Sequence, residues 1–561
     1  MRVFYWMAAV SLCATLAVPA SAQIPACSAP LWSPCELTFA LQAGEDPAGA
    51  QLRAEFRSPH KDTLVLRAFR EGNTLILRFT PDEAGEWDFR ITSNLKRFDG
   101  QIGRTTGTAS MAPGFVRTVN VHHFQTANLQ PHLWMASAID NFVAMARADF
   151  EAAVAARVAE KFTHLRVVLE ASADLKEAAD RVAFIHARGI VTDVALATIP
   201  EDRRERERYI TDLVARFASY NITWAGVPAF EKLKNSKVLL RETGALLMQL
   251  DAYKHPRTSM AEVSSAPLLV EPPDARWMNI VSYGTADPNV GAVEHELYSV
   301  PGINAGIRTR SDLWNATMNG QYPASGSGKE FTVWFDFLSR TRHWELEPYY
   351  DVNGGRAIAL RDQDYGGEHY DAVEYIVYVE KPGPVELVVE DRGYDVAWLN
   401  PATGDRVEAK GYKGKRFTGE PPDKSHDWVL HVSREGRKEG MLKTYKFESR
   451  RVLMQQVESN PTAVPFEIES PAGDIPMRVP ALYSLKIVRP TRATRDLLME
   501  WTAELATGTE GGRVVGTGKD GTFRLPESFG ARVPAVISMR AAILNANGKL
   551  YVIDRAFRLV P

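Results

Sequence analysis

A chain of 561 residues, 45% hydrophobic and 24% charged, has ordinary globular composition and room for about three to four domains. Its formal net charge of -3 excludes the basic excess of a nucleic-acid-binding surface. Beyond residue 22 no run approaches the roughly 20 apolar residues needed to span a bilayer, so no membrane partner is expected for the mature chain.

Residues 1–22 read as a secretory signal peptide. Arg2 supplies the positive start, 3–18 the apolar stretch, and Ala20-Ser21-Ala22 a small-residue cleavage site. A secreted or periplasmic location is implied. Of the three cysteines, Cys13 leaves with the signal, and Cys27 and Cys35 are expected to pair in an oxidising compartment. No His or further Cys stands near them to complete a metal site.

From 31 to about 120 the apolar period is two. LTF, QLRAEF, TLVLRAF, TLILRF and EWDFRIT are short strands separated by turn residues, as in an antiparallel β-sandwich over 23–120. Within it, RFTPDEAGEWDFRITS (78–93) resembles the immunoglobulin-like module that precedes secreted, barrel-type glycoside hydrolases. Trp87 in that motif reads as a core residue.

Over 121–350 strands and helices alternate, which implies parallel strands with helical crossovers and a compact (β/α)₈-type barrel. Strands are expected at 132–136, 164–169, 191–197, 221–225, 278–283 and 302–304, with further strands near 256–260 and 317–322. Helices are expected at 148–161, 175–188, 205–220, 236–250 and 290–298. In such a barrel the C-terminal strand ends carry the chemistry. WAGVPAFE places Glu231 at one of them, and the neighbouring Trp224 and Phe230 would raise the pKa of a general acid/base for glycoside hydrolysis. Trp134, Asp140, His255, Tyr283 and Trp314 are the expected substrate-binding residues. Asp140, Glu170, Asp193, Glu262 and Asp287 are the candidates for a second carboxylate.

The pieces WAGVPAFE, KHPRTSM, DLWNATMNGQYPASG and HWELEPYYDVNGGRAIAL resemble the secreted apiosidase-like glycoside hydrolases. Those barrels are often followed by a β-domain of the collagen-binding type, expected here at 351–435 with NPATG as its hairpin turn. The resemblance implies a nucleophilic Glu at the seventh strand, but VPGINAGIR puts Asn304, Ala305 and Gly306 there. WNAT (314–317) reads as a turn and 411–424 as a loop. A last sandwich is expected over 436–561, from strand patterns such as LLMEWTAEL and AVISMRAAIL.

No cofactor is expected, because the chain carries neither a dinucleotide fingerprint nor a phosphate-cradling glycine loop. His122-His123 and Glu294-His295-Glu296 lack metal-ligand spacing, and no metal is assigned to them. The sequence therefore reads as a secreted glycoside-hydrolase-like protein acting on or binding a poly- or oligosaccharide, its nucleophile position lost. A non-catalytic carbohydrate-binding or matrix-adhesion protein is the alternative.

Overall fold

A computed structural model describes residues 24–119, 121–269, 276–361, 363–365, 368–370 and 373–436, and beyond 436 the strand segments alone. The expected signal segment lies outside the described residues. The chain divides into two units, 1–109 and 110–561. The protein is multidomain and rich in sheet.

The first unit holds β1 (Ser28–Pro30), β2 (Cys35–Ala40), β3 (Leu52–Arg57), β4 (Thr63–Arg67), β5 (Phe69–Glu71), β6 (Thr74–Phe79), β7 (Gly85–Ser93) and β8 (Ile102–Thr108). They form a sheet of order β1-β8-β7-β3-β4 and a second of order β2-β6-β5. On β7 the side chains alternate strictly, with Trp87, Phe89 and Ile91 inside and Glu86, Asp88 and Arg90 outside. Phe56 of β3 stacks on Phe79 of β6 with centroids 4.4 Å apart, and Phe79 meets Trp87 edge-on at 5.1 Å. Full burial of each such ring contributes about 1.5–3 kcal/mol. The Trp87 indole N–H donates to the Glu83 carbonyl at 2.9 Å, so its polar atom is satisfied in the core. A Cys27–Cys35 disulfide, S–S 2.09 Å, joins the lead-in to β1 to the first residue of β2, and so one sheet to the other.

The second unit begins with the hairpin β9 (Val116–Val119) and β10 (His123–Thr126). The hairpin belongs with the strand–helix region rather than with the sandwich, because the Val116 N–H donates to Asn221 Oδ1 at 3.0 Å. Next come β11 (Ala136–Ile139), α1 (Arg147–Ala159), β12 (His164–Leu169), α2 (Leu175–His186), β13 (Val191–Leu196), α3 (Arg203–Phe217), β14 (Ile222–Gly226) and α4 (Ser236–Leu250). The four strands pair in parallel in chain order, and every residue of β13 is buried, as a parallel sheet covered on both faces requires. Trp224 of β14 bridges in parallel to Arg257, which sits in the segment expected as the fifth strand. Gly226 makes that approach possible. Its φ is +68°, and a Cβ there would stand 2.5 Å from the Thr258 carbonyl.

A second parallel sheet holds β15 (Val281–Tyr283), β16 (Gly302–Asn304) and β17 (Gln321–Pro323), with α5 (Pro288–Leu297) and α6 (Arg310–Met318) between them and α7 (Lys329–Leu338) after. The WNAT segment is helix, not turn. Thr309 and Asp312 cap α6 reciprocally: the Asp312 N–H donates to Thr309 Oγ1 at 3.1 Å, and Asp312 Oδ2 accepts the Thr309 N–H at 2.9 Å. The strand expected at 317–322 is correspondingly shortened to β17.

The chain continues through β18 (Glu347–Tyr349), β19 (Val352–Asn353), β20 (Arg356–Leu360), the small hairpin β21 (Gln363–Tyr365) and β22 (Glu368–Tyr370), β23 (Glu374–Val379), β24 (Val385–Leu399), β25 (Arg406–Gly419) and β26 (Trp428–Arg434). Their main sheet has the order β18-β20-β23-β26-β24-β19, with β25 paired to β24 at the edge. The expected loop from 411 is strand as far as Gly419. Almost every residue of β25 is exposed or half-buried, so no apolar alternation announced it. Trp314 of α6, Tyr378 of β23, Leu399 of β24 and Val429 of β26 share one core with Trp134 and Tyr322. The parallel strands and this antiparallel sheet are thus packed together. Beyond 436, a three-stranded and a five-stranded sheet include Ser484–Val488, Leu498–Leu505, Ala535–Leu544 and Leu550–Val560. Among the described residues no helix is long and apolar enough to cross a membrane.

Candidate functional site

The parallel register sorts the candidate residues by end. Ala136, His164 and Val191 are level at the N-terminal edge of the first sheet, and Tyr283, Asn304 and Pro323 are level at the C-terminal edge of the second. Asp140 comes directly after β11 and Tyr283 ends β15, so both belong to the C-terminal strand ends, as does Glu231 beyond β14. Trp134 precedes β11 and His255 precedes the Arg257 bridge, so both belong to the opposite end. Trp314 lies on α6, stacked over Tyr378 at 6.1 Å. The expected binding set is therefore split, and three of its members are fully buried: Trp134, His255 and Trp314 are each 0% exposed.

Each of these three has a structural account. Trp134 stacks on His164 at 3.5 Å. The Asp251 carboxylate receives the His255 backbone N–H at 2.9 Å and the Trp224 indole N–H at 3.0 Å, with His255 Nδ1 3.1 Å from both oxygens. Burial alone would push the Asp251 carboxyl up, but the His255 imidazole and these hydrogen bonds outweigh it and hold its pKa below the ordinary value. Trp224 lines a small cavity together with Leu240, Thr243 and Leu247 of α4 and with Trp277. It faces the helices and not the strand mouth, so it cannot desolvate Glu231.

Glu231 itself lies in the single 3-10 turn Phe230–Lys232, exposed, its Oε1 accepting the Glu262 N–H at 2.9 Å. Phe230 beside it is buried. Lys232 pairs with the Glu262 carboxylate. The apolar surround expected around a general acid is not built from Trp224, because a strand turns successive side chains to opposite faces and the indole takes the outer one.

Behind the rim, a polar column runs from His132, ahead of β11, to β12 and β13. His132 Nε2 is 2.8 Å from His164 Nε2, and His164 Nδ1 is 2.8 Å from Asp193 Oδ1. Burial, and after it the neighbouring His164 and His343, hold His132 well below its ordinary pKa, hence neutral. The chain of hydrogen bonds is satisfied when His132 Nε2–H donates to His164 and His164 Nδ1–H donates to the carboxylate. Arg166 stands two residues further along β12, on the same face as His164. Burial lowers its pKa, Asp193 and Asp140 oppose that, and Arg308 adds to it, so all four charges lie within electrostatic reach. Tyr209 of α3 is pushed up to about 12 by burial and by Glu170.

Of the carboxylates considered as partners to Glu231, Asp193 is committed to His164, Glu262 to Lys232, and Asp287 caps α5 by accepting the Asn289 N–H at 3.0 Å. Asp140 and Glu170 are exposed. At the end of β16 the Asn304 side-chain amide donates to the Thr285 carbonyl at 2.8 Å and to Gln321 Oε1 at 2.9 Å, while its oxygen accepts the Gly306 N–H at 2.7 Å. The Ala305 N–H donates to the Tyr283 carbonyl at 2.7 Å, and the Ala305 carbonyl accepts from Ser325 Oγ and from the Arg308 guanidinium, each at 2.8 Å. A cation thus stands beside the position where a nucleophilic carboxylate was expected. Arg166 and Arg308 were not singled out from the sequence, where a single arginine in a strand or in a loop carries no positional signal.

Residues 28–94 match a domain of unknown function, DUF5060. Over the larger part of the chain, the fold is similar to that of a candidate glycoside hydrolase from Bacteroides vulgatus ATCC 8482. The TM-score is 0.61 at 16% identity, covering 73% of this chain and 99% of the other. The chain has a glycoside-hydrolase-like fold. A family 5 glycoside hydrolase from the same organism is more distant, with a TM-score of 0.47 at 11% identity over 60% of this chain and 95% of that one. No curated protein matches the sequence.

Proposed function

We propose that this chain is an exported carbohydrate-recognition protein in which the parallel strands act as a (β/α)₈-type array whose C-terminal strand ends hold an oligo- or polysaccharide. Glu231 is the candidate general acid/base, presented at the rim together with Asp140, with Arg166 behind them on β12. The observation that carries binding over retaining hydrolysis is the end of β16. Asn304 and Ala305 stand where a nucleophile would be needed, their polar groups are already engaged, and Arg308 occupies the neighbourhood. A retaining glycosidase needs two carboxyls roughly 5–5.5 Å apart. A lone general acid contributes only about 10²–10⁴-fold. Export rests on the composition of 1–22, and the sandwich at the N-terminus is read as an immunoglobulin-like module.

Affinity electrophoresis against a panel of plant and microbial polysaccharides tests this reading. Retardation of the wild type by one class of glycan, weakened in Asp140→Ala and Glu231→Ala, supports it. Retardation by none of the panel, or retardation unchanged in both variants, refutes it.

A further inference from the structure

Glu347, the first residue of β18, is ringed by three imidazoles from distant parts of the second unit. His122 Nδ1 lies 3.1 Å from its Oε2, His295 Nε2 of α5 lies 2.5 Å from the same oxygen, and His123 Nε2 lies 3.1 Å from Oε1. The three histidines, His122, His123 and His295, are 1%, 3% and 6% exposed. The rings of His122 and His295 are 3.7 Å apart. Adjacent residues of a strand point to opposite faces, yet His122 and His123 reach the same carboxylate. The turn that allows this places Val121 at φ +65°, a left-handed conformation disfavoured for a β-branched side chain.

Tautomers decide what the cluster needs. His122 Nε2 is 3.0 Å from the Tyr298 carbonyl, which can only accept, so Nε2 carries the hydrogen. The Nδ1 lone pair of a neutral His122 then points at Glu347 Oε2, an acceptor as well. His123 raises no such conflict: its Nδ1 is 2.6 Å from the Tyr322 hydroxyl, so it accepts that O–H and donates from Nε2 to Oε1. One lone pair facing another in a buried site is relieved either by a second proton on His122 or by a metal ion between them.

We propose that His122 Nδ1, His295 Nε2 and Glu347 bind a divalent metal ion of the zinc type. These donor atoms all lie within 4.8 Å of one another. Zinc holds imidazole nitrogen at about 2.0–2.1 Å and carboxylate oxygen at about 2.0–2.2 Å, so a small outward movement of the side chains admits the ion. Two imidazoles and a carboxylate, without thiolate, suit zinc and its first-row neighbours better than magnesium or calcium. The outer partners are in place: Tyr298 fixes His122, and His123, itself set by Tyr322, holds the second carboxylate oxygen. Because the ligands come from the β9–β10 turn, α5 and β18, the ion would clamp the parallel-strand region to the antiparallel sheet that β18 begins. Its role is structural and lies apart from the strand ends at Glu231.

The test uses the full chain, purified without a histidine tag, dialysed against equimolar Zn²⁺ and then buffer, and analysed by elemental mass spectrometry. About one zinc per chain is expected, with a melting midpoint that falls in EDTA, recovers with Zn²⁺ and does not recover with Mg²⁺. Co²⁺ loading of the wild type should give visible ligand-field bands that added Zn²⁺ displaces, a readout needing no variant. His122→Asn and Glu347→Gln should lose the zinc, while Glu262→Gln should keep it. No retained zinc together with a melting midpoint indifferent to EDTA and Zn²⁺ overturns the proposal and leaves a proton on His122 as the missing cation. Zinc retained in full by a folded His122→Asn chain overturns it equally.

Discussion

Removing the Asp251 carboxylate tests whether His255 and Trp224 are structural. Asp251→Ala strips the acceptor from the Trp224 indole N–H and from the backbone N–H groups of Tyr253 and His255, all inside a buried shell. An unsatisfied buried donor costs about 1–3 kcal/mol. Three such donors lose one shared acceptor, so their losses are not additive and together come to about 3–5 kcal/mol. For a cooperative unit of about 150–250 residues this lowers the melting midpoint by about 6–20 °C. Differential scanning calorimetry at pH 7 reads that shift. The pH dependence has a definite sign: the folded-state pKa of Asp251 is below its ordinary value, so its contribution is complete above the unfolded carboxyl range near 3.9 and is lost as the pH falls through the folded value. The gap between wild type and variant should therefore narrow only below about pH 4. A midpoint within about 2 °C of wild type would refute the structural assignment of this pair.

Gly226→Ala should destabilise by more than the 0.4–1 kcal/mol or so that such a change normally gains, because of φ +68° and the Thr258 carbonyl 2.5 Å from the new Cβ; urea unfolding checks it. Phe56→Ala should cost about 3–5 kcal/mol in the sandwich, read as earlier unfolding of that unit in a thermal scan. Asp427→Ala removes the two-point contact with Arg310 and the acceptor of the Tyr378 hydroxyl, and should cost about 1–3 kcal/mol, measured by chemical denaturation. Ala305→Glu adds a carboxylate beside Arg308 at a cost of about 1–3 kcal/mol in packing. If it also stands about 5–5.5 Å from Glu231, it should release reducing ends faster than the wild type.

Much of the element order was legible because period and length are local signals. The helix expected at 236–250 is α4, and the strands expected at 164–169 and 302–304 are β12 and β16. Local rules failed where tertiary context decides. The run 132–134 reads as strand, yet Trp134 stacks on His164 and the ladder with β12 starts only at Ala136. The cap between Thr309 and Asp312 made WNAT helical, although the neighbouring Asn and Gly suggested a turn. Site residues were harder. Which aromatic belongs to which strand end depends on where each strand begins, and a shift of a few residues moved Trp134 to the far edge. Which face of β14 carries Trp224 is set by α4. His122, His295 and Glu347 are far apart in the chain, and only the fold brings them together.

Reducing-end release from the polysaccharide that the wild type binds, with Glu231→Gln as the comparison, decides between binding and hydrolysis. Release by the wild type is expected to be no faster than about 10²–10⁴-fold over the uncatalysed reaction, falling to background in Glu231→Gln. Rapid wild-type turnover, whether abolished by that substitution or untouched by it, would contradict the proposed function: the former would mean that another carboxylate completes the pair, the latter that the chemistry lies elsewhere.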